Sequence, residues 1–168
     1  MSFGIFLFFL YNYFMINLDQ TELLKSIDQS DMAGYILALP NQIKESLEKM
    51  EKIIIPDDWR KVKNICFAGM GGSATAGALL ANLPELDSKI PMIVMRGYEL
   101  PNWVDKNSLV IIVSHSGATE ETISVFKYAA AKEAKIFVIA ERGVLEKIGA
   151  AEKVLVFDYG TKASPRAA

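Results

Sequence analysis

The residues with the most chemistry in their spacing are Ser114-His115-Ser116-Gly117-Ala118-Thr119. They follow the apolar run LVIIVS (109–114) and open the helical stretch TEETISVFKYAAAKEA (119–134). Ser114, Ser116 and Thr119 place three hydroxyls around a glycine at a helix start. Such a turn aims backbone N–H groups at one point, and the helix dipole adds about half a positive charge there. Hydroxyls and amides together can hold a phosphate dianion without Lys or Arg. The competing reading is a Ser/Thr-rich helix cap, because these residues also favour caps and turns. Two hydroxyls suffice for a cap, and the third favours the phosphate. Glu120 and Glu121 read as first-turn acids stabilised by the dipole. His115 is the one histidine of the chain. Its ordinary pKa near neutrality suits acid–base work, but its place between two phosphate-facing serines makes it a loop residue that tunes the pocket rather than a catalyst.

A second loop, Gly69-Met70-Gly71-Gly72-Ser73, joins the run NICFAG (64–69) to an Ala/Gly-rich helical stretch. Glycines permit tight turns and close backbone approach to a ligand. Ser73 is placed to cap the helix or to offer its hydroxyl to a ligand. A plain glycine turn that lets the helix pack on a sheet explains the same residues. A dinucleotide fingerprint requires G-x-G-x-x-G, which Gly69, Gly71 and Ala74 only approximate. The next apolar run ends in Met95 and Arg96, with no acid for a ribose. No nicotinamide or other cofactor is expected.

The elements that position these loops follow from the rest of the chain. With 168 residues, 51% hydrophobic and 23% charged, it can build one compact core. A net charge of −2 argues against a nucleic-acid surface. The lone Cys66 excludes a disulfide framework, fits a reducing cytoplasm and reads as a buried small hydrophobe; with one histidine beside it, no metal site is expected. The first sixteen residues, MSFGIFLFFLYNYFMI, fall short of the about 20 apolar residues of a membrane span and lack the basic start of a signal peptide. We read 1–16 as an apolar extension with Met15 as the initiator, in preference to a membrane anchor.

Residues 17–58 read as two N-terminal helices. Pro40 suits the first turn of the second, and Ile43, Leu47, Met50 and Ile54 recur on one helix face. From 59 onward the runs 64–69, 90–96, 109–114, 135–140 and 153–157 alternate with helical stretches. They are continuously apolar, so both faces should be covered. In the long helix Ile123, Phe126 and Ala130 are expected on one face. The pattern predicts an α/β fold: a five-stranded parallel sheet, doubly wound and flavodoxin-like, with helices on both faces. Ligands of such sheets sit at the carboxyl ends of the strands, near the topological switch point.

At its two loops the chain resembles the SIS (sugar isomerase) family, and more closely the N-terminal half of bifunctional phosphoglucose/phosphomannose isomerases. The resemblance runs from about Asp31 to the last residue. It rests on FAGMGGSATAG (67–77), MRGYELPNWVDKNSLVIIVSHSGATEET (95–122) and SPRAA (164–168). It implies that Ser114, Ser116 and Thr119 hold a sugar phosphate, that Gly71, Gly72 and Ser73 line the sugar, and that Arg166 stabilises an enediolate. A fixed guanidinium lowers the energy of that charge. The family loop usually reads S-Y-S-G-N-T, and His115 and Ala118 depart from it. The family also carries a second SIS domain that supplies the glutamate base, a histidine and a lysine, none of which has a match up to Ala168.

The resemblance therefore implies the phosphosugar-binding SIS domain (59–168) of an isomerase that interconverts glucose 6-phosphate or mannose 6-phosphate with fructose 6-phosphate, present here as a fragment. The chain alone, lacking the base, is expected to be inactive. The alternatives are a stand-alone non-catalytic phosphosugar-binding or regulatory domain, and a dimeric isomerase with one SIS domain per subunit. The expected partners are a small sugar phosphate and either a second copy or the missing second domain, with no nucleic acid and no membrane.

Overall fold

The computed structural model describes residues 21–82, 89–141 and 143–160. They fall into two compact units that divide between Leu37 and Ala38. The described residues of the first unit form two short helices, α1 (Thr21–Ile27) and α2 (Met32–Leu37). Asp28 separates them: its carboxylate accepts hydrogen bonds from the Met32 and Ala33 N–H groups, both at 2.8 Å. Those bonds hold its pKa below the usual carboxylate range.

The second unit begins with α3 (Leu39–Met50), which carries Pro40 in its first turn as expected. A short 3-10 turn (Asp57–Lys61) leads into the sheet. The alternation then runs β1 (Asn64–Gly69), α4 (Gly71–Asn82), β2 (Met92–Met95), β3 (Ser108–Ser114), α5 (Glu120–Ala131), β4 (Lys135–Ala140), α6 (Val144–Ala151) and β5 (Leu155–Phe157). Among the described residues, the region ahead of the sheet thus contains three helices rather than two. The Asp28 cap and the turn at Ala38 break what the periodicity presents as continuous.

All five strands are parallel, in the order β2-β1-β3-β4-β5. The chain winds one way from β1 to β2 and the other way from β3 to β5. The switch point therefore lies between β1 and β3, where Gly69 stands opposite Val113. Both loops singled out from the sequence leave the sheet at this carboxyl edge.

The two faces of the sheet are covered unequally. On one, Cys66, Ala68, Val110, Ile112 and Val138 pack beneath α5 and α6 in the main core. Along β3, Ser108, Val110, Ile112 and Ser114 are buried while the residues between them are half-buried. On the other face α4 covers Phe67, whose ring lies against Gly77 so closely that it leaves no room for a Cβ there. Trp59 packs edge-on against Phe137 on the same face, with ring centroids 6.4 Å apart. The buried side of α5 is Thr122, Val125, Phe126 and Ala129. Of the expected Ile123–Phe126–Ala130 line, Phe126 is buried and Ile123 packs against the core, while Ala130 faces solvent. Cys66 is fully buried, as its apolar context implies, and burial pushes its thiol up to about 11. On α3, Ile43 and Leu47 remain 53% and 60% exposed, so its apolar stripe is not part of this core. Ile54 lies beyond the end of that helix.

Candidate functional site

The β3–α5 loop gathers the three hydroxyls. Ser114, the last residue of β3, is buried, and its Oγ lies 3.0 Å from Thr119 Oγ1. Ser116 Oγ reaches the same Thr119 oxygen at 3.4 Å and also accepts the Ala118 N–H at 3.2 Å. The chain doubles back because the Gly117 N–H donates to the Ser114 carbonyl at 3.1 Å, with Gly117 at φ 61°. Thr119 is the N-cap residue of α5, yet its side chain makes no capping hydrogen bond. Its hydroxyl is engaged by the two serines instead. The first turn of α5 thus presents its N–H groups beside a cluster of hydroxyls, the combination that suits an anion.

The β4–α6 connection braces this loop. Leu145 N–H donates to the Gly117 carbonyl at 2.9 Å. Gly143 has φ 104°, a conformation open to glycine, and its α-carbon faces the Ser116 carbonyl at a distance that admits no Cβ.

The glycine loop meets the site from the β1 side. Gly71 has φ 53° and already belongs to α4. Ser73 is consequently not the helix cap: it lies in the first turn, with its N–H on the Met70 carbonyl at 3.1 Å. Ser73 and Gly72 line a cavity of about 220 Å³ with Val113, Ile139, Ser46 and Tyr159. This is smaller than the about 300–1,000 Å³ of drug-sized pockets. The phosphate candidates begin at the residue after Val113, so cavity and hydroxyl loop share one edge of the sheet. Arg166 lies outside the described residues.

His115 points away from the hydroxyl cluster. Its Nδ1 is 2.7 Å from the Tyr159 hydroxyl, and its Nε2 is 3.7 Å from Glu141 Oε2. Tyr159 follows β5 and Glu141 follows β4. Burial, with Glu141 and Asp158 nearby, pushes the Tyr159 hydroxyl up to about 12, so it stays protonated at neutral pH. Neither residue was singled out from the sequence. The available signal was positional: both stand just past the carboxyl end of a strand, the edge where such sheets bind ligands. Tyr98, an exposed residue after β2, also lies within the field of Glu121 and Glu120 at the start of α5, and Glu121 raises its pKa most.

The SIS domain family model matches residues 59–143, half of the chain. The chain belongs to the SIS domain family. Among curated SIS relatives it is 38% identical over 130 residues to the bifunctional phosphoglucose/phosphomannose isomerase of Caldicellulosiruptor bescii, an alignment spanning 77% of this chain and 38% of that protein. It is 43% identical over 86 residues to the Thermoplasma acidophilum protein of the same name, covering 51% of this chain and 27% of the relative. The chain thus spans well under half the length of these relatives. Among solved structures, the C-terminal domain of glucosamine-fructose-6-phosphate aminotransferase from Francisella tularensis superposes with a TM-score of 0.62 at 21% identity, over 81% of this chain and 42% of that one. A proposed phosphosugar isomerase from Clostridium difficile gives 0.64 at 19% identity, over 81% and 41%. At these identities the superpositions show a common fold.

Proposed function

We propose that this SIS domain binds a hexose phosphate and forms the N-terminal portion of a glucose-6-phosphate/mannose-6-phosphate isomerase. The observation that carries this reading is the convergence of Ser114 and Ser116 on Thr119 at the start of a helix whose N-cap side chain is turned away from capping. In this reading the phosphate takes the place of the missing cap, accepting from the three hydroxyls and the first N–H groups of α5. The sugar extends into the adjoining cavity over Gly71, Gly72 and Ser73. The names of the relatives support the isomerase assignment.

Aldose–ketose isomerisation moves a proton between C1 and C2 through a negatively charged enediolate. Arg166 is proposed to stabilise that charge. The transfer also needs a base. Among the described residues that line the cavity there is no carboxylate, and the Tyr159 phenol holds its proton too firmly at neutral pH to serve. In this reading the base comes from a partner, a second SIS domain or a second copy, which would also cover the exposed Ile43 and Leu47 of α3. Among the described residues no helix is long and apolar enough to cross a membrane, and a cytoplasmic location is proposed.

A thermal-shift titration with glucose, mannose and fructose 6-phosphates tests the reading. Binding to the native state alone stabilises by about 2.7 kcal/mol at a hundredfold excess over Kd, or roughly 5–11 °C for a domain of this size. The double substitution Ser114→Ala and Ser116→Ala should abolish the shift. A full shift in the double variant removes the loop from the phosphate site.

A further inference from the structure

We infer that Tyr159 contacts the sugar, accepting a hydrogen bond from one of its hydroxyls, and that His115 and Glu141 position it. The inference rests on the phosphosugar reading above and adds residues to that site.

Tyr159 lines the 220 Å³ cavity together with Gly72 and Ser73 from the β1 side and Val113 and Ile139 from the strand ends. Its place there is fixed from two directions. Lys49 of α3 donates to the Tyr159 backbone carbonyl at 2.8 Å, and the next residue, Gly160, donates its N–H to Asp158 at 2.8 Å. The hydroxyl end is held by His115 Nδ1 at 2.7 Å.

Hydrogen-bond accounting then sets the direction of that contact. Glu141 faces His115 Nε2 at 3.7 Å, beyond hydrogen-bonding distance but close enough to favour the proton on that nitrogen. Nδ1 is then the bare, accepting nitrogen, and the Tyr159 O–H donates to it. The phenolic oxygen keeps its lone pairs and has no second proton to give. Toward the cavity it can only accept, and a sugar hydroxyl is a donor of the right kind. The dianionic ester phosphate of a sugar phosphate is not, since it carries no proton. The three residues come from the ends of three neighbouring strands, β3, β4 and β5, so the sheet register assembles the relay.

The test is a calorimetric titration of the 168-residue chain with fructose 6-phosphate and, separately, with inorganic phosphate. Tyr159→Phe keeps the ring and removes the hydroxyl. It should weaken fructose 6-phosphate about fivefold, the effect of one neutral hydrogen bond, while inorganic phosphate keeps its affinity. His115→Ala should lower the same affinity ratio, and His115→Asn, whose amide oxygen can accept the tyrosine proton in place of Nδ1, should recover much of it. An unchanged fructose 6-phosphate affinity in Tyr159→Phe overturns the inference. An equal loss for both ligands also overturns it, because the residue would then be supporting the loop rather than the sugar. If the unaltered chain binds neither ligand, the phosphosugar reading fails and this inference fails with it.

Discussion

Replacing Gly143 by alanine tests how tightly the hydroxyl loop is braced. Gly143 sits at φ 104° and ψ −155°, a region essentially reserved for glycine, and a Cβ there would stand 2.6 Å from the Ser116 carbonyl oxygen and 3.1 Å from the Gly117 carbonyl carbon. The nearby atoms are backbone, so no side-chain rotation relieves the clash. Backbone strain of this kind costs about 1–3 kcal/mol, and overpacking adds ~1–3 kcal/mol. Together they remove about 2–6 kcal/mol from a domain expected to hold about 5–15 kcal/mol. In urea, with a slope of about 2 kcal/mol/M, the unfolding midpoint should fall by roughly 1–3 M. Phosphosugar affinity should fall as well, because the displaced atoms belong to the turn that presents Ser116 and Thr119. A midpoint within ~0.3 M of the parent, with unchanged affinity, would refute the argument that α6 and the hydroxyl loop are locked together.

Other consequences follow from the same geometry. Gly77→Ala should destabilise by about 1–3 kcal/mol in chemical denaturation, because its Cβ would collide with the buried Phe67 ring. Cys66 is buried and its thiol is pushed up to about 11, so thiol reagents at mildly alkaline pH should label it only after denaturation; rapid labelling of the native chain would contradict its place in the core. In an ultraviolet pH titration, Tyr159 should ionise near 12, above its ordinary value of 10. Its contribution to stability is full below about pH 10 and is lost as the pH rises through 12. Tyr159→Phe should remove that late step. A coupled assay of the chain alone should detect no isomerase turnover, and measurable conversion would contradict the proposal that the base comes from a partner.

Local sequence was a good guide wherever one element decides the outcome. The run NICFAG is β1 residue for residue, and KIFVIA is β4. After their first residues, Asn64 and Lys135, both are apolar because helices lie on both sides of a parallel sheet. The loop at Ser114–Thr119 was legible for the same reason: strand end, turn and helix start are contiguous. Of the two readings of Ser73, the cap fails because α4 begins at Gly71, two residues before that hydroxyl. On α5 the expected line holds at Ile123 and Phe126 and fails at Ala130, where Ala129 is buried instead, since helical periodicity alone does not say where the sheet lies. Tyr159 was invisible for a deeper reason. It meets His115 across 44 residues of chain, and only the pairing of β3 with β4 and of β4 with β5 brings them together. The exposed stripe of α3 looks in sequence like any core-facing helix, because periodicity reports amphipathicity and not what covers the apolar side.

The most direct measurement is a crystal structure of the chain with fructose 6-phosphate bound. The account predicts the phosphate within hydrogen-bonding reach of Ser114, Ser116 and Thr119, against the first turn of α5, with the sugar extending toward Ser73 and Tyr159. A phosphate bound elsewhere, with no contact to the three hydroxyls, would contradict it.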